Sequence, residues 1–170
     1  MLEVRAARAD LNLTHGETFM AQGSPPRLIL PALGGIYEAL SPYMEPLLRF
    51  VAGAMLVPHG CQKLFGMFGG GGLAGTAAYM DKAGYSPGML WGIVVGCTEL
   101  FGGILLAIGL LTRPAAAAIT IELIFAFAVT IQRGWLGSNE LTVLWFMIVV
   151  VFLVRGGGRC SIDRMIGREF

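Results

Sequence analysis

Four long apolar stretches fill residues 47–154, and ionisable side chains lie inside them. Glu99 sits deep in one stretch and Glu122 deep in the next, while His59 and Lys63 share a third. An ionisable group in hydrocarbon costs roughly 2.5–3.5 kcal/mol on insertion scales. A chain that keeps several such groups in its spans either uses them or pairs them to hold helices together. The pattern therefore fixes an all-α integral membrane protein, read as a four-helix bundle. The chain is 55% hydrophobic and only 14% charged, against about 25% charged for a typical soluble domain.

A transmembrane helix needs about 20 mostly apolar residues. The expected spans are 46–65, 88–111, 114–132 and 138–154, with Trp135 and Leu136 able to extend the last. Thr112 and Arg113 alone separate the second and third, which predicts a tight hairpin with Pro114 in the first helical turn. Arg113 and the tail residues Arg155, Arg159, Arg164 and Arg168 fall on one side, Lys82 and Arg133 on the other. The positive-inside rule then places both termini in the cytoplasm of a multi-pass protein. Trp91, Trp135 and Tyr85 gather at the outer interface, as amphipathic rings do.

Residues 1–44 form an N-terminal extension without a secretory signal core. Residues 1–27 read as disordered, and 28–40 as a short interfacial helix ahead of Ser41 and Pro42. Translation could start at Met1 or at Met44, and residues 156–170 make a basic cytoplasmic tail. A net charge of +1 leaves no basic footprint for nucleic acid. Cys61, Cys97 and Cys160 show no disulfide framework or metal spacing, so no metal site is expected.

At about 100° per residue, Arg49, His59 and Lys63 fall within an arc of about 80°. Gly92, Gly96, Glu99 and Gly103 form a narrow stripe on the second span; Ala115, Ala118, Glu122 and Ala126 form one on the third. Small rows let helix backbones approach closely, so both acids should point at neighbouring helices. Glu99 lies roughly 16 Å from the outer end of its span and Glu122 roughly 12 Å from the opposite end of its own, near a shared midplane. Pro58 should kink the first span beside His59. Each acid admits a plainer reading, as a hydrogen-bonded helix lock. Arg49 is expected to snorkel to the headgroups, and Glu140 to complement the dipole at the start of the fourth span.

The loop from Gly66 to Thr76 contains Gly70, Gly72 and Gly75 in G-x-G-x-x-G spacing. It follows a membrane helix, where a dinucleotide site needs a strand, so it reads as a flexible loop leading to an amphipathic helix over 75–83, ended by Gly84.

The run from Leu56 to Gly66, the glycine loop, Thr76-Ala77-Ala78, Glu99-Leu100-Phe101-Gly102-Gly103 and Gly109-Leu110-Leu111-Thr112-Arg113 together resemble the DoxX family. The resemblance covers 47 to about 163. It implies a four-helix bacterial inner-membrane protein linked to quinone reduction or to oxidative-stress partners. It marks His59, Gln62, Lys63 and Glu99 as family-typical polar positions, with Glu140 matching an acid at the start of the last helix. Glu122 and the N-terminal extension lie outside that pattern.

The first functional reading is an accessory subunit of a quinone-linked redox system, with His59, Lys63 and Glu99 as the catalytic candidates. Gln62, Glu122 and Glu140 are then ligand-binding candidates. Quinone is the expected cofactor class, none is expected to be covalently bound, and electrons come from a soluble or membrane redox partner. A non-catalytic scaffold recruiting redox or stress partners through the loop and tail is the alternative. A small proton-coupled transporter, which needs a homo-oligomer to form a pathway, ranks third.

Overall fold

The computed structural model describes residues 28–131 and 138–168. Expectations for residues 1–27, and for Arg133, Trp135 and Leu136, lie outside the described residues. Two compact units divide at Ala39 and Leu40. In the first, a short 3-10 turn over Pro31–Leu33 leads into the helix that begins at Gly34. The rest of that helix and every later element belong to the second unit.

Among the described residues every regular element is a helix. Helix α1 covers Gly34–Phe65 and carries Pro42, Pro46 and Pro58 inside it. The sequence places a break near Ser41 and Pro42; the helix runs through, each proline removing only one backbone hydrogen bond. A glycine-rich turn leads to α2, Gly72–Lys82, which starts earlier than the expected 75–83. Helix α3, Gly88–Cys97, passes through a π-helical turn at Thr98–Gly102 into α4, Gly103–Ile108. Then come α5, Thr112–Thr130, α6, Ser138–Arg155, and the short α7, Ile162–Ile166.

Among the described residues two helical runs are long and apolar enough to cross a membrane: Gly88–Ile108, 21 residues with mean hydropathy 1.9, and Thr112–Thr130, 19 residues with mean hydropathy 1.5. At 1.5 Å per residue each reaches about 30 Å, the thickness of the hydrocarbon core. The buried core draws Leu56 from α1, Leu106 from α4, Ile119 from α5, and Val149 and Phe152 from α6. The outward faces are also apolar: Phe50, Met55, Ile93, Ile121, Leu144 and Met147 are all exposed. A soluble protein rarely leaves so much contiguous apolar surface uncovered.

Small residues set the closest approaches. A Cβ on Gly60 would stand 2.8 Å from the Cα of Leu100, and one on Gly103 would stand 2.8 Å from the carbonyl oxygen of Gly53. Helix α1 and the Gly88–Ile108 run therefore touch backbone to backbone, as small-residue rows allow. At the far end, Asn139 of α6 is buried and its Nδ2 donates to the carbonyl of Thr130 at 3.0 Å, tying α6 to α5.

Candidate functional site

The glycine stripe of α3 turns Glu99 inward. Gly88, Gly92, Gly96, Glu99 and Gly103 are all buried, as the helical spacing predicts. Glu99 lies in the π-helical turn, which widens the helix by one residue per turn. Such bulges occur often at functional sites. Uniform 100° steps leave no place for this bulge, and no proline in Thr98–Gly102 signals it.

Three ionisable side chains converge there. Lys63 Nζ pairs with Glu99 Oε1 and stands 3.8 Å from Glu122 Oε1. The acids' side chains are 11% and 9% exposed, that of Lys63 32%. Lys63 sits in the last turn of α1 and reaches inward on its four-carbon stem. The hydroxyl of Thr76 in α2 donates to the carbonyl of Lys63 at 3.0 Å, holding α2 against this end of α1.

Beside the trio opens a cavity of about 530 Å³ between α2, α3 and α5. Its walls are apolar and aromatic: Tyr79, Tyr85, Trp91 and Phe125, with Val94, Val95 and Ile121. Tyr85 packs edge-on against both Trp91 and Phe125, with ring centroids at 6.1 and 6.3 Å. Ala118 and Ala126, from the small row of α5, leave the space that Glu122 faces. Lys63, Glu122, Thr76, Thr98 and Thr130, with the hydroxyls of Tyr79 and Tyr85, are the polar side chains of the lining, which is little beside the apolar wall. A mostly apolar chamber with a few convergent polar groups is the usual form of a small-molecule site. The sequence brings Tyr85 and Trp91 together at the outer interface, but Tyr79 and Phe125 join them only through the packing of separate helices.

Not every candidate joins the site. His59 is exposed and does not line the cavity. The face of α1 that packs inward follows Gly53, Leu56 and Gly60. His59 lies about 100° from Gly60, whereas Lys63 lies about 60° away and has the longer reach. Gln62 Nε2 donates to the carbonyl of Phe68 at 3.3 Å and steadies the glycine turn. Glu140 is exposed in the first turn of α6, where it can complement the helix dipole. Among the described residues no group of acids, histidines and cysteines is placed to hold a metal ion.

Arg49 corrects the expectation that it snorkels. It is 2% exposed. Its Nη1 donates to the carbonyls of Leu106 and Ala107 at 2.9 and 3.2 Å, and its Nη2 to that of Cys160 at 2.6 Å. The C-terminal carbonyls of α4 lack helical partners, and a buried guanidinium satisfies them with its rigid fork of donors. Gly109, with φ 71°, ends α4, and a Cβ there would collide with that guanidinium.

The tail is likewise docked. Ser161 caps α7, and Asp163, 2% exposed, accepts from the backbone N–H of Leu111 and Thr112 at 2.7 and 2.9 Å and from the Thr112 hydroxyl at 2.7 Å. Burial pushes the Asp163 carboxyl up. The hydrogen bonds from Thr112 and Leu111, with the nearby Arg49 charge, outweigh it and hold the group below its ordinary value.

A family model for DoxX matches residues 46–132. The chain belongs to the DoxX family of membrane proteins. It is 31% identical to an uncharacterized protein of Haemophilus influenzae over 137 residues, covering 74% of this chain and 92% of that one. It is 26% identical over 121 residues to a Bacillus subtilis protein named "Putative oxidoreductase CatD", covering 71% and 84% of the two chains. No solved structure matches.

Proposed function

We propose that this DoxX protein is an accessory subunit of a quinone-linked redox system and that the cavity receives the quinone headgroup. The observation that carries this reading is an apolar chamber of about 530 Å³ whose charged groups, Lys63 and Glu122, meet on one wall. A flat ring suits the space between Trp91, Tyr85 and Phe125. Its carbonyls are acceptors, and Lys63, Thr98 and the tyrosines are donors. When bound, a quinone supplies two-electron, two-proton chemistry, with electrons delivered by a partner protein. The ammonium of Lys63 binds and orients a carbonyl and offsets negative charge developing on it. Glu122, backed by Glu99, moves protons to and from the same end of the cavity. The name of the Bacillus subtilis relative is in keeping with redox work.

In this reading α1 from Pro46, the Gly88–Ile108 run, α5 and α6 all cross the inner membrane as a four-helix bundle. The end bearing Arg113, Arg155, Arg159 and Arg164 faces the cytoplasm with both termini. The cavity then lies toward the outer leaflet, open to lipid-soluble molecules.

Titration of the purified protein with a short-chain quinone analogue tests the proposal. Saturable binding is expected, weakened roughly tenfold or more in Lys63→Met and Glu122→Gln, the loss that follows from removing a hydrogen bond to a charged group. His59→Ala should bind like the wild type. Equal binding by all four proteins would remove the cavity from the account.

A further inference from the structure

Lys63 provides one positive charge for two acids. It pairs with Glu99 Oε1 and lies 3.8 Å from Glu122 Oε1. The remaining oxygen of each acid, Oε2, is buried and has no hydrogen-bond donor among the described residues. Both acids therefore crowd the same ammonium. An ionised carboxylate only accepts hydrogen bonds, whereas a protonated one also donates. Two carboxylates that share a dry site do not both ionise. A single proton placed between the acids provides the missing donor and leaves the trio neutral, with Lys63 positive and one acid negative.

We propose that Glu99 and Glu122 hold one proton between them as a carboxyl–carboxylate pair, which makes the trio a one-proton carrier beside the cavity that Lys63 and Glu122 line. The other titratable groups lining the cavity are Tyr79 from α2 and Tyr85 from the turn before α3. Neither is an acid or base that could replace Lys63 as the counter-charge. Release of the proton leaves a net negative charge beside an apolar chamber, so the proton leaves readily only when an acceptor or a positive charge enters. The proton is in place before any ligand binds, so the inference stands whether or not that ligand is a quinone.

Infrared spectroscopy of the purified protein, with and without ¹³C-labelled glutamate, counts protonated glutamates through the carboxyl C=O stretch. At neutral pH the wild type should show one protonated glutamate per chain that Glu99→Gln or Glu122→Gln abolishes. Lys63→Met, which removes the counter-charge, should show two. Circular dichroism on the same samples verifies that each variant keeps its helix content. Should a glutamine variant not fold, the wild-type and Lys63→Met counts decide alone. No protonated glutamate in the wild type, two in the wild type, or no rise in Lys63→Met would overturn the proposal. A lone protonated band alongside failed quinone binding would sink only the quinone reading, and the reverse result only this one.

Discussion

Asp163 uses both carboxylate oxygens to start a helix that lies about fifty residues before it in the chain. Replacing it with alanine leaves the N–H groups of Leu111 and Thr112 without their acceptor. Loss of a cap costs about 0.5–2 kcal/mol, and buried unsatisfied donors add to it. Asp163→Ala should therefore lower the thermal midpoint clearly in detergent, with Asp163→Asn falling between it and the wild type. The folded-state pKa is depressed, so its stabilising contribution is present above the ordinary value of 3.8 and is lost as pH falls below it. Acid unfolding of the wild type should carry this component below about pH 4, and the alanine variant should lack it. Single residues of this kind were the least legible in the sequence. Arg49 reads in the sequence as a snorkelling cation and Asp163 carries no signal there, because their partners are backbone groups at helix ends that only the assembled fold creates.

Helices were far more legible than side-chain partners, since hydropathy and helical spacing both report on them. The stripe through Gly92, Gly96, Glu99 and Gly103 appears as a buried face, and the hairpin at Thr112 forms where expected. The π-helical turn and the turning-away of His59 were not legible, because both come from how α1 seats Gly60 against Leu100. That seat makes a sharp test. Gly60→Ala places a methyl group 2.8 Å from the Leu100 Cα and should destabilise by about 1–3 kcal/mol through overpacking. Gly75→Ala, in α2 with nothing within 4 Å of the new Cβ, should be neutral or stabilise by up to about 1 kcal/mol. Chemical unfolding of the two variants side by side checks the contrast, and equal effects would mean that α1 does not seat as described.

The whole molecule carries its polar keystones at opposite ends: Arg49 with Asp163 at one, and Lys63 with the two glutamates at the other. Cys160, exposed beside the Arg49 end, reports on orientation. A membrane-impermeant thiol reagent should label it in inside-out vesicles and not in intact cells, while the half-buried Cys61 and Cys97 react slowly from either side. Labelling of Cys160 in intact cells would reverse the proposed topology. Gentle extraction from the native membrane followed by mass spectrometry shows whether the cavity holds a quinone. Near-stoichiometric quinone is expected with the wild type and none with Ala118→Phe, which fills the cavity and leaves Lys63, Glu99 and Glu122 in place. A soluble partner protein recovered without quinone, or quinone retained equally by the filled variant, would contradict the quinone reading.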